Sequence, residues 1–407
     1  MGEWRESILG DVLSVDHGYA FLGPAMHDEL TGKPVIVSIG NFSYSGGFRF
    51  SSTRVREYRA EYPAEFELNP GDLVVVMTCQ TAGGEILGIP GIIPDDGRVY
   101  LHNQRIGRVR LRGESLSERF AYYLFLTPEV KSQLVSSASG TKILHTSPQR
   151  IAAVRCLLPP LREQQAIAEV LGALDDKIAL NERIRETTLG LASACYEAAG
   201  IGDEPERIGD LADLFDGPHA TPHKTETGPW FLSISSLKNG YLDLSESAHL
   251  SEEDFPRWTR RVQPQAGDVL FSYETRLGDA ALMPSGIRSS LGRRMALLRS
   301  KSATVSGSLL LHAYLSPAFQ EEIKRRTVHG ATVDRLPLKE MPGWRISLPA
   351  QGARERLSGK LDVLHASVAQ GANENRTLAD LRDTLLPQLL SGKLRVKDAV
   401  RTVEEAV

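Results

Sequence analysis

The chain has 407 residues, enough for two domains that each bury a core of their own. No run approaches 18 consecutive apolar residues and the first ten residues carry no apolar signal-like stretch, so a membrane-spanning or secreted protein is not expected and a cytoplasmic one is. Cys79, Cys156 and Cys195 form no CxxC pair and are odd in number, which argues against a disulfide framework or a thiolate zinc site; the net charge of −4 speaks against a nucleic-acid ligand unless charge is unevenly spread.

In chain order, residues 1–158 read as mixed strand and loop. Short β-rich runs at 34–39 and 72–78 are bounded by Gly, Pro, Asn and Ser, and a helical segment is expected over 116–136, before a turn at Gly140. Pro159 and Pro160 then suit a helix start, where no amide hydrogen bond is lost, and a long helix is expected from there to about residue 199. Its apolar positions Ile167, Leu171, Leu174, Ile178, Ile184, Thr188, Leu191 and Cys195 are spaced mostly by three and four, the spacing of a coiled-coil seam, with Asn181 as a register-fixing polar residue. Residues 201–348 return to strand and loop, with a strand over 268–273, a helical segment over 307–326 and a turn at Gly330. A second long helix follows from 349, carrying Leu357, Leu361, Leu364, Val368, Leu378, Leu381, Leu385 and Leu389 and ending near Ser391-Gly392, with Pro387 expected to kink its last turn.

These pieces repeat. Gly140 and Gly330 lie 190 residues apart, as do Pro159 and Pro349, and Leu126-Thr127-Pro128 answers Leu315-Ser316-Pro317 at 189. Gly71-Asp72-Leu73-Val74 answers Gly267-Asp268-Val269-Leu270, and Leu9-Gly10-Asp11 answers Ile208-Gly209-Asp210. Such a period is too long for a solenoid and reads as a duplicated domain. The expected fold class is α+β: two pseudo-repeated globular domains, 1–158 and 201–348, separated by a pair of long antiparallel coiled-coil helices at 159–200 and 349–395, with a tail at 396–407. A helix of about 38 residues is a rod of roughly 57 Å. Leu171, Leu174 and Ile178 are expected to pair with Leu361, Leu364, Val368, Leu378 and Leu385.

Charge separates by region. Residues 254–301 hold nine Lys/Arg against four Asp/Glu, residues 96–131 seven against four, and the first long helix, 159–200, four against seven. Basic stretches in corresponding parts of both halves, joined by an acidic helix, fit two nucleic-acid-facing domains. Catalytic machinery does not show. There is no GxxxxGK[ST] loop, and Ser391-Gly392-Lys393 lacks the upstream glycine. Asn69-Pro70-Gly71-Asp72 is only superficially similar to an Asn-Pro-Pro-aromatic motif and reads as a turn. Glu129-Val130-Lys131 has no partner carboxylates in sequence, and Pro218 and Pro222 put His219 and His223 in a loop rather than at helical metal-ligand spacing. Neither a catalytic residue nor a metal site is expected.

Leu157-Leu158-Pro159-Pro160-Leu161-Arg162-Glu163-Gln164-Gln165, running into Leu174-Asp175-Asp176-Lys177-Ile178, resembles the central region of the specificity subunits of Type I restriction-modification systems. The stretch 375–387, through Ser391-Gly392-Lys393-Leu394, resembles their distal region. Gly18-Tyr19-Ala20-Phe21, Gly217-Pro218-His219-Ala220-Thr221-Pro222 and Gly267-Asp268-Val269-Leu270-Phe271-Ser272 are similar to pieces of their target recognition domains. The start of the second helix, Pro349-Ala350-Gln351-Gly352, departs from the Pro-Pro-x-x-Glu-Gln pattern. The resemblance implies a non-catalytic DNA-recognition subunit in which each recognition domain reads one half of a bipartite site on double-stranded DNA. The helices would set the spacing and dock two adenine methyltransferase subunits, and motor-nuclease subunits would join them. No cofactor is implied on this chain; S-adenosylmethionine, ATP and Mg would belong to the partners. The competing readings are a coiled-coil structural adaptor joining protein partners, and a similar subunit of a related restriction or phage-defence system.

Direct base readout wants Arg, Lys, Asn, Gln or small hydroxyl residues on loops. The candidates are Tyr19, Asn41, Tyr44, Gln80, Arg105 and Arg108 in the first half. In the second they are His219, Thr221, Lys224, Tyr273, Arg276, Arg293 and Arg294.

Overall fold

The two leucine-striped segments fold as the longest elements of the chain, helices Leu161–Ala198 and Gln351–Leu390. The computed structural model describes residues 4–50, 55–202 and 204–406. Contacts divide the chain into two units, 1–177 with 377–407 and 178–376, so each unit contains a globular part and a stretch of both long helices.

In the first unit the core is a four-stranded antiparallel sheet in the order Leu13–His17, Ile106–Leu111, Leu73–Val76, Pro90–Ile92. Leu73, Val74, Val75 and Val76 are all buried, which is why that strand reads as a continuous apolar run rather than an alternating one. Beside it lies a smaller five-stranded sheet of two-residue strands. The run at 34–39 contributes only Val35–Ile36 to this sheet before turning into a short 3₁₀ segment at Ile39–Asn41.

The second unit repeats the larger sheet: Ala212–Asp216, Met295–Ser300, Val269–Ser272, Ala280–Leu282. The registers agree pair for pair. Gly107 faces His17 and Val75 as Ala296 faces Asp216 and Phe271. The tight turn before the middle strand is also shared: Gly71 (φ 89°) and Gly267 (φ 87°) take left-handed backbone, and the following carboxylates Asp72 and Asp268 accept the Asn69 and Gln265 amides. The same carboxylates hold arginines at equivalent strand positions, Asp72–Arg110 at 3.2 Å and Asp268–Arg299 at 2.7 Å.

Each expected helical segment after the sheet is two helices. Glu118–Leu126 and Pro128–Ser136 break at Thr127, and Gly307–Leu315 and Pro317–Arg326 break at Ser316. The prolines exclude helical backbone at the preceding residue, while the Thr127 and Ser316 hydroxyls cap the next helix by accepting the Val130 and Phe319 amides.

Helix pairing is antiparallel in the second unit: Asn181 meets Asn375, while Ala192 and Tyr196 share a core cluster with Leu357 and Leu361. Of the expected pairing residues, Leu171, Leu174, Leu361, Val368, Leu378 and Leu385 are buried, and Ile178 and Leu364 half-buried. The wider seam assignment needs a correction. Ile184 and Leu191 are 46% and 50% exposed, because a strict 3.5-residue repeat continuing from Leu171, Leu174 and Ile178 runs through Asn181, Arg185, Thr188, Ala192 and Cys195 instead. Asn181 lies on the seam as expected, donating to Asn375 Oδ1 and Glu374 Oε2 at 2.8 Å each. The second helix continues past Pro387 to Leu390, and Val396–Ala406 forms a further helix.

The atypical start of the second long helix is resolved by substitution of function. Gln164 Nε2 donates to the Pro159 carbonyl at 2.9 Å, and at the equivalent position Arg354 Nε donates to the Pro349 carbonyl at 2.7 Å. Arginine, not glutamine, satisfies the carbonyl there.

Candidate nucleic-acid interface

Because the registers coincide, the loops that leave one end of each four-stranded sheet can be compared position by position. At that end the chain leaves the strands at His17, Val76 and, in the second unit, Asp216 and Ser272, and it enters the neighbouring strand at Ile106 or Met295. The Met77 amide donates to the Arg105 carbonyl at 2.8 Å, and the Tyr273 amide to the Arg294 carbonyl at 3.1 Å. The Thr146 and Leu336 amides close the same network by donating to Met77 and Tyr273 carbonyls. Tyr19, Gln80 and Arg105 thus occupy the sheet end in the first unit, and His219, Tyr273, Arg276, Arg293 and Arg294 the same end in the second.

Two glycines allow the close approach of these loops. A Cβ on Gly18 would come within 2.2 Å of the Asn103 carbonyl oxygen, and one on Gly217 within 2.5 Å of the Met295 carbonyl oxygen. In the second unit the tip also carries backbone strain. Among the described residues Thr275 (φ 71°), Arg294 (φ 69°) and Asn239 are the non-glycine positions with positive φ, and the first two are bonded to each other through Arg294 Nη1 and Thr275 Oγ1 at 3.1 Å.

The candidates differ in what their side chains are free to do. Gln80, Arg105, Thr221, Lys224 and Arg293 are exposed, as is Tyr44, at 61%. Asn41 is 3% exposed and spends its amide inside its own loop, accepting from the Ser38 amide and donating to the Arg49 carbonyl, so it shapes a loop. Arg108 lies on a strand with its side chain 13% exposed, facing Asp16 and Asp72 and donating to the Glu67 carbonyl, which makes it part of the sheet's ion network. The Tyr19 ring packs edge-on to Phe21 and against Phe66 at 5.1 Å each. Tyr273 is 6% exposed; burial first, and then the Asp216 charge, push its phenol up, and its hydroxyl lies 3.4 Å from His219 Nδ1. His219 Nε2 sits 3.2 Å from Asp216, which also faces Arg261 at 3.6 Å.

That last contact leads to residues not singled out from sequence. Arg257, Arg260 and Arg261, all exposed, line a cleft of about 480 Å³ with Trp258, His219 and the 217–220 loop. The signal was present in the basic surplus over 254–301; what was missing was the fold that brings 257–261 to the His219 loop. Among the described residues no group of three or more His, Cys, Asp or Glu could hold a metal ion.

How each globular part grips its helix is likewise repeated. In the first unit Tyr123 donates to Asp175 at 2.7 Å and Arg382 donates to the other oxygen of that carboxylate at 2.8 Å. In the second, at the equivalent positions, His312 and His365 lie with their Nε2 atoms 3.0 Å apart and both are 5% exposed. Burial holds both imidazoles down to about 4.

A duplicated sheet whose loop ends carry exposed glutamine and arginine, anchored on long helices, has the layout of a recognition module. Comparison with known proteins points to one family. Residues 1–188 match the family model described as Type I restriction modification DNA specificity domain. The specificity subunit of the Type I restriction enzyme EcoBI from Escherichia coli is 21% identical, over 96% of this chain and 86% of that one. The MjaVIII specificity subunit from Methanocaldococcus jannaschii is 28% identical over 130 residues, a match spanning 32% of this chain and 30% of that relative. The crystal structure of a Type I restriction-modification S subunit from M. genitalium shares the fold, with a TM-score of 0.55 at 15% identity over 95% of this chain and 96% of that one. The chain is thus similar over nearly its whole length to a specificity subunit of a Type I restriction enzyme, and its first 188 residues match the DNA specificity domain of such systems.

Proposed function

We propose that the two globular parts, 1–158 and 201–348, act as target recognition domains that each read one half of a bipartite site on double-stranded DNA. The repeated sheet end carries this reading: one scaffold, in the same register, presents two different sets of exposed polar side chains. Arg257, Arg260 and Arg261 supply sequence-independent phosphate contacts in the second domain, as Arg105 does in the first, while Gln80, Arg276 and Arg293 reach base edges. Tyr44, Thr221 and Lys224, exposed on separate loops, add backbone contacts. Tyr19, Tyr273, His219 and Arg294 hold the loops in place.

The long helices at 159–200 and 349–395 fix the spacing between half-sites and dock two adenine methyltransferase subunits, with motor-nuclease subunits completing a cytoplasmic complex. The exposed stripe Leu180, Ile184 and Leu191, at 49%, 46% and 50%, supports docking, since it is apolar, lies off the helix seam and follows helical spacing. S-adenosylmethionine, ATP and Mg belong to those partners. The test is retention of random duplex DNA by the chain copurified with its methyltransferase. Joint retention is expected; a chain that captures protein partners but never DNA would be a structural adaptor.

A further inference from the structure

The internal duplication supplies a comparison of the two sheet ends at identical backbone positions. The turns Asn103–Ile106 and Gly292–Met295 are closed by equivalent hydrogen bonds, Ile106 N–H to the Asn103 carbonyl at 2.9 Å and Met295 N–H to the Gly292 carbonyl at 3.2 Å. Their second residues are Gln104 and Arg293, both exposed. On the neighbouring loop, counted from the paired strand ends Val76 and Ser272, the equivalent residues are Gln80 and Arg276. Both positions are glutamine in the first unit and arginine in the second.

The chemistry at these positions is not interchangeable. A glutamine amide offers one donor and one acceptor, the complement of adenine N7 and N6 in the major groove; a guanidinium offers two donors, the complement of guanine O6 and N7. The side chains of Gln80, Gln104 and Arg293 have no ion-pair or hydrogen-bond partner among the described residues, so they are available. Arg276 is oriented as well as available: its Nε donates to Asp279 at 2.5 Å, leaving the Nη1/Nη2 edge for a bidentate acceptor.

We propose that the two units read half-sites of different chemistry, the first through adenine contacts of Gln80 and Gln104 and the second through guanine contacts of Arg276 and Arg293. This rests on the DNA-reading assignment above and specifies it. The experiment is selection from a library of randomised duplex DNA by the chain assembled with its methyltransferase, followed by sequencing. The unaltered complex selects a split motif with guanine dominant at one or two positions of one half only. Arg276→Gln with Arg293→Gln removes about 5- to 150-fold of discrimination per guanine in that half and leaves the other half unchanged. Arg276→Lys with Arg293→Lys, which keeps the charge but not the bidentate edge, also weakens the guanine preference while overall affinity is largely kept. Gln80→Arg with Gln104→Arg adds guanine to the opposite half. A wild-type complex that selects no motif overturns the DNA-reading assignment itself. A split motif that survives the arginine substitutions unaltered overturns only the assignment of these four residues.

Discussion

Asp268 and Asp72 occupy the same position in the two repeats but are held to different degrees, and this gives an internally controlled test of the repeated scaffold. Asp268 is 2% exposed, accepts two guanidinium hydrogen bonds from Arg299 at 2.8 and 2.7 Å, and accepts the Gln265 amide at 2.7 Å. Asp72, its side chain 10% exposed, likewise accepts an amide, that of Asn69 at 2.9 Å, but only one guanidinium bond, from Arg110 at 3.2 Å, and that arginine's side chain is 43% exposed. A hydrogen bond to a charged group contributes about 1.5–3 kcal/mol, and a broken buried pair leaves the partner charge uncompensated at up to about 5 kcal/mol. Asp268→Ala should therefore destabilise the second sheet by about 3–4 kcal/mol. Asp72→Ala, at a pair screened by solvent, should cost about 1–2 kcal/mol. Hydrogen-exchange mass spectrometry of the full chain reads the two sheets separately. Amides of Val269–Ser272 should exchange roughly 150-fold or more faster in Asp268→Ala, and those of Leu73–Val76 only about 5- to 30-fold faster in Asp72→Ala. Equal acceleration, or the reverse order, would show that burial and bidentate geometry do not set the strength of this tie.

Three further outcomes are expected. Gly217→Ala drives a Cβ into the Met295 carbonyl oxygen, so it should displace the His219 loop and reduce DNA binding by the assembled complex at least tenfold while the sheet's exchange protection persists; unchanged binding would remove that loop from the interface. The His312–His365 pair is neutral at pH 7, with folded values of about 4 against about 6.5 unfolded, so the unfolded chain takes up protons first. Stability is fully present above about pH 6.5 and falls as the pH drops toward 4. His312→Phe with His365→Leu should shrink the loss of melting temperature between pH 7 and pH 5, and an unchanged loss would discount the pair. Ile184→Asp with Leu191→Asp should change stability by less than about 1 kcal/mol but weaken copurification with the methyltransferase, whereas Leu171→Ala, at a fully buried position, should cost about 2–5 kcal/mol in denaturant unfolding.

What could be read from the chain was what is written locally. Pro159, Pro160, Thr127-Pro128 and Ser316-Pro317 punctuate helices through backbone sterics, and repeated Gly-Asp turns expose the duplication. Strand order was not legible, since pairing Leu73–Val76 between Ile106–Leu111 and Pro90–Ile92 depends on partners far apart in sequence. Ile184 and Leu191 have the size and polarity of seam residues, but the 3.5-residue repeat passes through their neighbours Arg185 and Ala192 instead. Candidate readers were legible as loop residues, but their freedom was not. Asn41 and Gln80 are the same kind of residue on paper, and only the fold shows one bonded to its own loop and the other exposed. Arg108 is spent on Asp16 and Asp72, neither of them a sequence neighbour.

The most direct test is methylome sequencing of the host with and without the gene for this chain. Reading of a bipartite site through two recognition domains predicts loss of one split N6-methyladenine motif, its two halves separated by a fixed unspecified spacer, with all other methylation intact. An unchanged methylome, or loss of a single continuous motif, would contradict it.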